Sequence, residues 1–563
     1  MKFQKNQIID VLISETNMLG FGVVKLDGAV IFVQFGVGGD HCKIRIIKCA
    51  KSYYIARIEE MLSPSANRIE PECNHFRRCG GCSFQHITYD HEKELKKQSV
   101  EGFLKKEGLA DVKVLPVLST DRIDHYRNKA QFPVSYDENG KVICGFYAPK
   151  THRVCPLEDC SIQHPLFIKI AKCVCDFLSA YNVQPYNEED RAGLVRHIYL
   201  RIAASTGQVM LCLVLKEDAF DPAEKFVSEM ITSFPQIQTI ALNIQPENNN
   251  VILGKKTVFL YGTEKITDVF CDRKLMISPL SFYQVNHDAA EILYRTAFSM
   301  AGISKYDHVI DLYCGIGSIS MSTHAACPIT GVEIIPEAVK DANENASLNS
   351  IEDATFICGD ASDAFRLIDE KGAKNPLLIV DPPRKGLTQT LIEEISSKGI
   401  SNILYISCGP DTFARDLAFF REKGYEISDV QPVDLFPRTS HVENIAMLQR
   451  QTVHTMRLDA SPFEMIRNGE KTIELRLFDE KRQQVKVGDR IVFINSTTGV
   501  KLSKTVARLH KFDSFKELYK SLPLLKCGYT GKTIDKAKPE DMERYYSVEQ
   551  QNKFGVIGIE LTV

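Results

Sequence analysis

The sequence predicts an α/β protein built around a doubly wound, mostly parallel sheet, with β-rich domains on either side of it. Three observations carry this expectation. Between about residues 265 and 450, short apolar runs ("HVIDLY", "PITGVEI", "PLLIVD", "ILYISC") alternate with more polar helical stretches, the pattern of βαβ units. Short alternating strands separated by Gly-rich turns stand at the start of the chain, and a second mixed-β pattern begins after "QRQTV". At 563 residues the chain exceeds what one core supports, so three or four domains are expected.

Composition narrows the class. Hydrophobic residues make up 44% and charged residues 25%, as in ordinary globular proteins. The formal net charge of -3 gives no overall sign of a nucleic-acid partner, so any such binding must come from local basic surfaces. No run of 18 apolar residues occurs, and "MKFQKNQIIDVLISETNMLG" has no signal-peptide core, so no membrane contact is expected. A cytoplasmic location follows as an expectation. There the 17 cysteines stay reduced, and closely spaced ones point to a metal or to catalysis rather than to disulfides.

Taken in order, residues 1–60 show alternating runs at 8–13, 22–26, 29–35, 42–48 and 53–62, broken by "LDG" and "GVGGD". Five short strands in that length suit an OB-like barrel, a common oligonucleotide-binding form. Lys43, Arg45, Lys48, Lys51 and Arg57 add a local positive cluster. Residues 61–260 carry clustered cysteines and then the strand-like runs "HYRNKAQFPVSY" and "GQVMLCLVL". Residues 261–450 hold the doubly wound pattern. Residues 452–563, with "RIVFIN", "LSKTVARLHKF" and "FGVIGIELTV", form a separate small mixed-β domain.

The chemistry concentrates at the predicted strand ends of the third segment. "HVIDLYCGIGSIS" places a Gly-rich turn after a strand bearing Asp311, and Gly315 and Gly317 let the backbone approach a ligand. The third glycine of a dinucleotide fingerprint is missing. The next strands lead to Glu333, placed to hydrogen-bond ribose hydroxyls, then to Asp360 in "ICGDAS" and Asp381 in "LIVDPPRKG". All face the crevice where open α/β sheets bind ligands. An acidic rim without a Walker lysine argues for a nucleoside lacking a triphosphate, and S-adenosylmethionine fits.

Cys408 in "YISCGPD" ends the following strand and points into the same crevice. A thiol beside a methyl donor suggests an electron-poor substrate activated by a nucleophile, such as uracil. A thiolate adds to C6, C5 becomes the nucleophilic carbon, and a base then removes the C5 proton so that the thiol leaves. A polar cationic setting would favour the thiolate. Glu443 in "FPRTSHVENIAML" is the preferred base because it precedes a strand returning towards the ligand-binding edge; His441 is the alternative.

"SFYQVN", "DLYCGIGS", "GVE", "DPPRKG", "YISCGP" and "HVEN" occur in the order seen in RNA uracil-5-methyltransferases, which include 23S rRNA and tRNA enzymes. The chain resembles that family over roughly residues 1–450. The resemblance implies a Rossmann-like methyltransferase fold, Cys408 as nucleophile and Glu443 as general base. It further implies that Gln284, Tyr313, Ser318, Glu333, Asp360 and Asp381 hold S-adenosylmethionine. The first domain resembles the TRAM domain that precedes many RNA-modifying domains. With Arg77, Arg78, Arg127 and Lys129 it would form a basic track along RNA. Phe282 or Tyr283 would stack on a flipped base or on the donor's adenine.

"ECNHFRRCGGCSFQ" spaces Cys73, Cys79 and Cys82 as C-x5-C-x2-C, a set that suits zinc or an iron–sulfur cluster. The fourth ligand would be Cys160 or Cys155. The resemblance implies a [4Fe–4S] cluster as in the 23S rRNA branch, with Cys160 as its fourth ligand. Residues 455–563 resemble the ASCH domain, a PUA-like barrel associated with RNA binding. Some small ASCH relatives are amidohydrolases with a Lys matching Lys471, but with Thr where this chain has Glu474. Together these resemblances imply a monomeric enzyme methylating C5 of uridine in 23S rRNA. The alternatives are a tRNA T-loop enzyme and a non-catalytic RNA-binding or assembly protein.

Overall fold

The computed structural model describes residues 2–361, 364–367, 373, 375–450 and 452–562. The chain divides into two compact units, 1–423 with 427–449, and 424–426 with 450–563.

The first unit begins with a six-stranded sheet. Its longest strands, His41–Cys49 and Tyr54–Ser63, pair antiparallel. Alternation puts Cys42, Ile44 and Ile46 on the buried face and Lys43 and Arg45 on the other, as period-2 geometry requires, and a register shift between Ile46 and Lys48 leaves Lys48 exposed. Three of the five cations expected to form a positive cluster are paired with acids of the second strand: Lys43 with Glu60 at 2.8 Å and Arg45 with Glu59 at 2.7 Å across the pair, and Arg57 with Glu59 at 3.5 Å along the strand itself.

A seven-stranded mixed sheet follows, centred on Lys129–Tyr136, Val195–Ile202 and Val209–Leu215. The strands Val195–Ile202 and Val209–Leu215 are buried along their whole length. On one face Ile198 and Leu200 pack against Phe167, Ile170, Val174 and Phe177 of the helix Pro165–Ala180, an i, i+3, i+7 stripe. On the other, Tyr199, Met210 and Cys212 join the core of the following sheet. One continuous apolar interior therefore ties the two sheets together, each large side chain stabilising it by about 1.5–3 kcal/mol.

That following sheet contains β1 (His308–Leu312), β2 (Ile329–Glu333), β3 (Ala354–Cys358), β4 (Pro376–Val380), β5 (Asn402–Ser407), β6 (Gln431–Val433) and β7 (Glu443–Arg450). The parallel order is β3-β2-β1-β4-β5, with β7 antiparallel beside β5 and β6 pairing with β7. Helices α1 (Ser318–Ser322), α2 (Pro336–Leu348), α3 (Gln389–Ser397) and α4 (Pro410–Glu422) lie in the connections. Strand order reverses between β1 and β4, the position where such sheets open a ligand crevice at their carboxyl edge. A further helix, His287–Ala301, is capped by the Asn286 side chain and ended by Gly302 at φ 62°, and it buries Ala290, Leu293, Tyr294 and Ala297 beneath this sheet.

The second unit is a five-stranded sheet in the order Val453–Leu458, Arg490–Asn495, Lys501–Phe512, Val556–Leu561, Ile473–Leu477. It has its own core around Phe463, Ile491, Phe493, Ile557 and Ile559. Among the described residues no helix is long and apolar enough to cross a membrane.

Candidate active site

The carboxyl edge of the parallel strands collects the residues that the sequence singles out. Tyr313 follows β1, Glu333 ends β2, Asp360 lies two residues beyond β3, Asp381 follows β4 and Cys408 follows β5. Ser318 opens α1, and Gln284 sits in the segment leading to the helix His287–Ala301. The Gln284 and Ser318 side chains both act on the buried Tyr294 hydroxyl, so these two, 34 residues apart in sequence, share one wall.

The backbone here is shaped for close approach. Tyr313 holds a left-handed φ of 66°, a conformation that non-glycine residues keep only where surroundings impose it. Gly315 has φ 54°, and a Cβ added there would meet no atom within 4 Å, so open space lies beside it. The Glu333 carboxylate is locked at both oxygens, accepting from Gly315 N–H at 3.1 Å and Ile335 N–H at 3.0 Å.

Three carboxyl groups crowd this region in a poorly solvated setting. Burial pushes Asp381 up to about 7. Burial likewise raises Asp311 to about 7, with the charges of Asp381 and Glu333 adding to it. Asp311 Oδ2 accepts from Ser320 N–H at 3.2 Å, while Oδ1 is buried without a partner. A site whose carboxylates lack counter-charge favours a cationic ligand and disfavours a polyphosphate. S-adenosylmethionine, with a sulfonium and an ammonium group beside a nucleoside, fits this donor set.

Cys408 and Glu443 come together through strand register. In the antiparallel β5–β7 pair, Ser407 lies opposite Asn444, so one step further Cys408 stands opposite Glu443. Glu443 is 4% exposed. Its carboxyl is pushed up to about 8, first by burial and then by the charge of Asp381, against the pull of Arg384. The Cys408 thiol is pushed up to about 11 by burial and by Glu443 and Asp381, with Arg384 again opposing. The thiol therefore lies among acids, which corrects the expected cationic setting. Arg384 is the cation in reach of both groups. It went unassigned in the sequence although "DPPRKG" contains it, because nothing local tells which way a loop arginine turns. His441 has its Nε2 3.2 Å from Arg384 Nη2. Burial and then Arg384 lower it to about 4, so it is a neutral, weak base.

Comparison with known proteins decides the family. The sequence profile described as "tRNA (Uracil-5-)-methyltransferase" matches residues 88–451. An uncharacterized RNA methyltransferase of Clostridium tetani is 37% identical over 446 residues, covering 79% of this chain and 97% of that protein. One from Bacillus cereus is 38% identical over 452 residues, covering 79% and 97%. The chain belongs to the tRNA (uracil-5-)-methyltransferase family. The family's fold is also that of Pyrococcus abyssi tRNA (uracil-54, C5)-methyltransferase, solved with S-adenosyl-L-homocysteine. That structure matches with a TM-score of 0.63 at 24% identity, covering 78% of this chain and 99% of that one. The ASCH profile matches residues 456–563. The protein is thus an S-adenosylmethionine-dependent RNA methyltransferase of the uracil-5 family that carries a C-terminal ASCH domain.

In this family member the four cysteines chosen from sequence are neighbours. Burial, then nearby thiols including Cys160 and Cys73, raise Cys79 to about 11 and Cys82 to about 12. Cys73 and Cys160 line one cavity of about 270 Å³, and Cys82 packs against Cys160. Cys155, the alternative ligand, is buried in the strand Val154–Pro156. Yet among the described residues no group of three or more His, Cys, Asp or Glu side chains stands ready to hold a metal ion.

Two further expectations divide. Phe282 is 65% exposed beside Gln284 and is available for stacking. Tyr283 is 2% exposed and donates its hydroxyl to Asp268 at 3.0 Å, so it is core and not a stacking platform.

The ASCH unit has a cavity of its own, about 810 Å³, lined by Lys471, Arg476, Tyr519, Tyr529, Tyr545 and Tyr546 among others. In its wall Glu474 lies 2.8 Å from both Lys471 Nζ and Arg476 Nε. Against the effect of burial, these cations hold its carboxyl below the usual range.

Proposed function

We propose that the protein methylates C5 of a uridine in 23S ribosomal RNA through a covalent bond between Cys408 and C6. The observation that carries this reading is the pairing of Cys408 with Glu443 across β5 and β7, beside a crevice suited to S-adenosylmethionine. Bound by Gln284, Tyr313, Ser318, Glu333, Asp360 and Asp381, the donor supplies an electrophilic methyl group and a sulfonium charge.

The chain's own residues account for the rest. Cys408 Sγ adds to C6, and the C5–C6 electron pair becomes available at C5. Once C5 carries the new methyl group, Glu443 takes the C5 proton, the C5=C6 bond re-forms and the C6–S bond breaks. Arg384 lowers the cost of the thiolate and then of the Glu443 carboxylate, since both anions lie within its field. Uracil must be unstacked to reach this depth, and Phe282 offers a ring at the entrance.

Two features support a ribosomal target in the cytoplasm: the cysteine quartet and the N-terminal sheet. The quartet, Cys73, Cys79, Cys82 and Cys160, is an all-thiol set consistent with a [4Fe–4S] cluster; zinc is the alternative. The family profile and the Pyrococcus abyssi structure favour a second reading, a tRNA uridine target. Mass mapping of 5-methyluridine in rRNA and tRNA from cells with and without this gene decides between them. Loss confined to 23S rRNA supports the first reading, and loss confined to tRNA overturns it.

A further inference from the structure

Between β6 and Glu443 the chain runs as a buried strap, residues 434–442, whose polar backbone is held from outside. Four consecutive carbonyls accept from four separate elements. Asn286 Nδ2 donates to Leu435 O at 3.1 Å, and Lys96 Nζ to Phe436 O at 3.3 Å. The Tyr126 hydroxyl donates to Pro437 O at 2.9 Å. The backbone N–H groups of Ser83 and Phe84 both donate to Arg438 O, at 2.9 and 3.1 Å.

Arg438 itself holds a left-handed φ of 68° and is 8% exposed. Such a conformation in a non-glycine residue persists where the surroundings over-determine it. Its N–H donates to Glu92 Oε1 at 2.8 Å. Glu92 and Asp434 in turn each receive Lys96 Nζ at 2.7 Å, and all three side chains are fully buried. Nothing in the methyl transfer uses this network. It holds residues 434–438, which end five positions before Glu443, and it is anchored on the cysteine loop, because Ser83 and Phe84 directly follow Cys82. Tyr126 packs with Cys160 and Cys82.

We propose that Tyr126 and the Ser83 and Phe84 amides are positioning groups that seat Glu443 for the final proton removal. In this way the cysteine loop acts on product release rather than on thiol addition. The inference rests on the reading of Glu443 as the base. In the step concerned, the C5 proton passes to Glu443, its electron pair forms C5=C6, and the C6–S bond breaks to return the Cys408 thiolate. A displaced base slows this step alone, so methylated RNA remains attached to the protein.

The test uses full-length protein and ordinary uridine RNA, following the covalent methylated adduct by denaturing electrophoresis and mass spectrometry alongside turnover and thermal unfolding. Tyr126→Phe removes a single hydroxyl donor and keeps the shape. It should lower turnover by about fivefold, the worth of one neutral hydrogen bond, while the first round of methyl transfer keeps its rate and the adduct accumulates. Lys96→Met, which takes the buried cation from the same strap, should do the same more strongly; should one variant fail to fold, the other decides. Wild-type turnover without adduct overturns the proposal, as does a parallel fall of adduct formation and turnover. Glu443→Gln serves as reference: if it does not accumulate adduct, the assignment of the base has failed and the positioning role of the strap contacts falls with it.

Discussion

The Arg384 guanidinium stands 3.2 Å from Nε2 of His441, and this contact places one cation against the three side chains that matter for proton movement. Together with burial, the larger effect, it keeps His441 neutral, and it opposes the upward shift of both Cys408 and Glu443. Replacing Arg384 by Met should leave the thiol harder to ionise. We expect adduct formation with 5-fluorouridine RNA to slow by about tenfold at neutral pH, the effect of one unit in the thiol pKa. The rate profile should also move to higher pH, and a profile with an unmoved midpoint would exclude Arg384 from the thiol's surroundings.

Cys408→Ala should abolish both the 5-fluorouridine adduct and methylation, because Cys408 is the thiol that strand register places opposite Glu443. Residual methylation at the wild-type rate would mean that C5 is activated in some other way.

Glu443 gives a stability prediction with a definite sign. Its carboxyl rises from 4.5 to about 8 on folding, so the folded state holds its proton more tightly than the unfolded chain. This contribution is fully present below about pH 4.5 and is lost as pH climbs through about 8. Asp311 and Asp381, each raised to about 7, act in the same direction over the lower part of that window. The melting temperature should therefore fall between about pH 5 and 8, and Glu443→Gln should flatten the decline while stopping turnover. Identical slopes in the two proteins would contradict the burial argument.

If the quartet binds iron, Cys160→Ser should strip it and Cys155→Ser should not. Iron per chain, measured on protein purified without oxygen, separates these outcomes; the reverse result moves the fourth ligand to Cys155.

In the ASCH unit, Glu474→Ala leaves Lys471 and Arg476 partly buried without their counter-ion. Removing one partner of such a group costs about 3–5 kcal/mol. The unfolding transition of this unit should drop by more than about 10 °C, read by calorimetry on the full chain.

How much of this was legible in the amino-acid order depends on the range of the interaction. "HVIDLY", "PITGVEI", "PLLIVD" and "ILYISC" became β1, β2, β4 and β5 because a buried parallel strand announces itself as a local apolar run. The positions of Glu333, Asp381 and Cys408 at the ends of those strands followed from the same runs. The charge of the N-terminal strands was misleading, because Glu60 and Glu59 reach Lys43 and Arg45 only once the strands pair. Tyr283 and Phe282 are adjacent and chemically alike, yet one is core and the other exposed, a distinction made by Asp268 from a distant strand. Local periodicity thus determined the sheet and the order of its functional residues. Only the tertiary structure decided that Cys408 faces Glu443, that Arg384 turns towards both, and that the cysteine loop grips residues 435–438. Those relations depend on register and on hydrogen bonds between segments up to about 350 residues apart, for which no local pattern in the chain carries a signal.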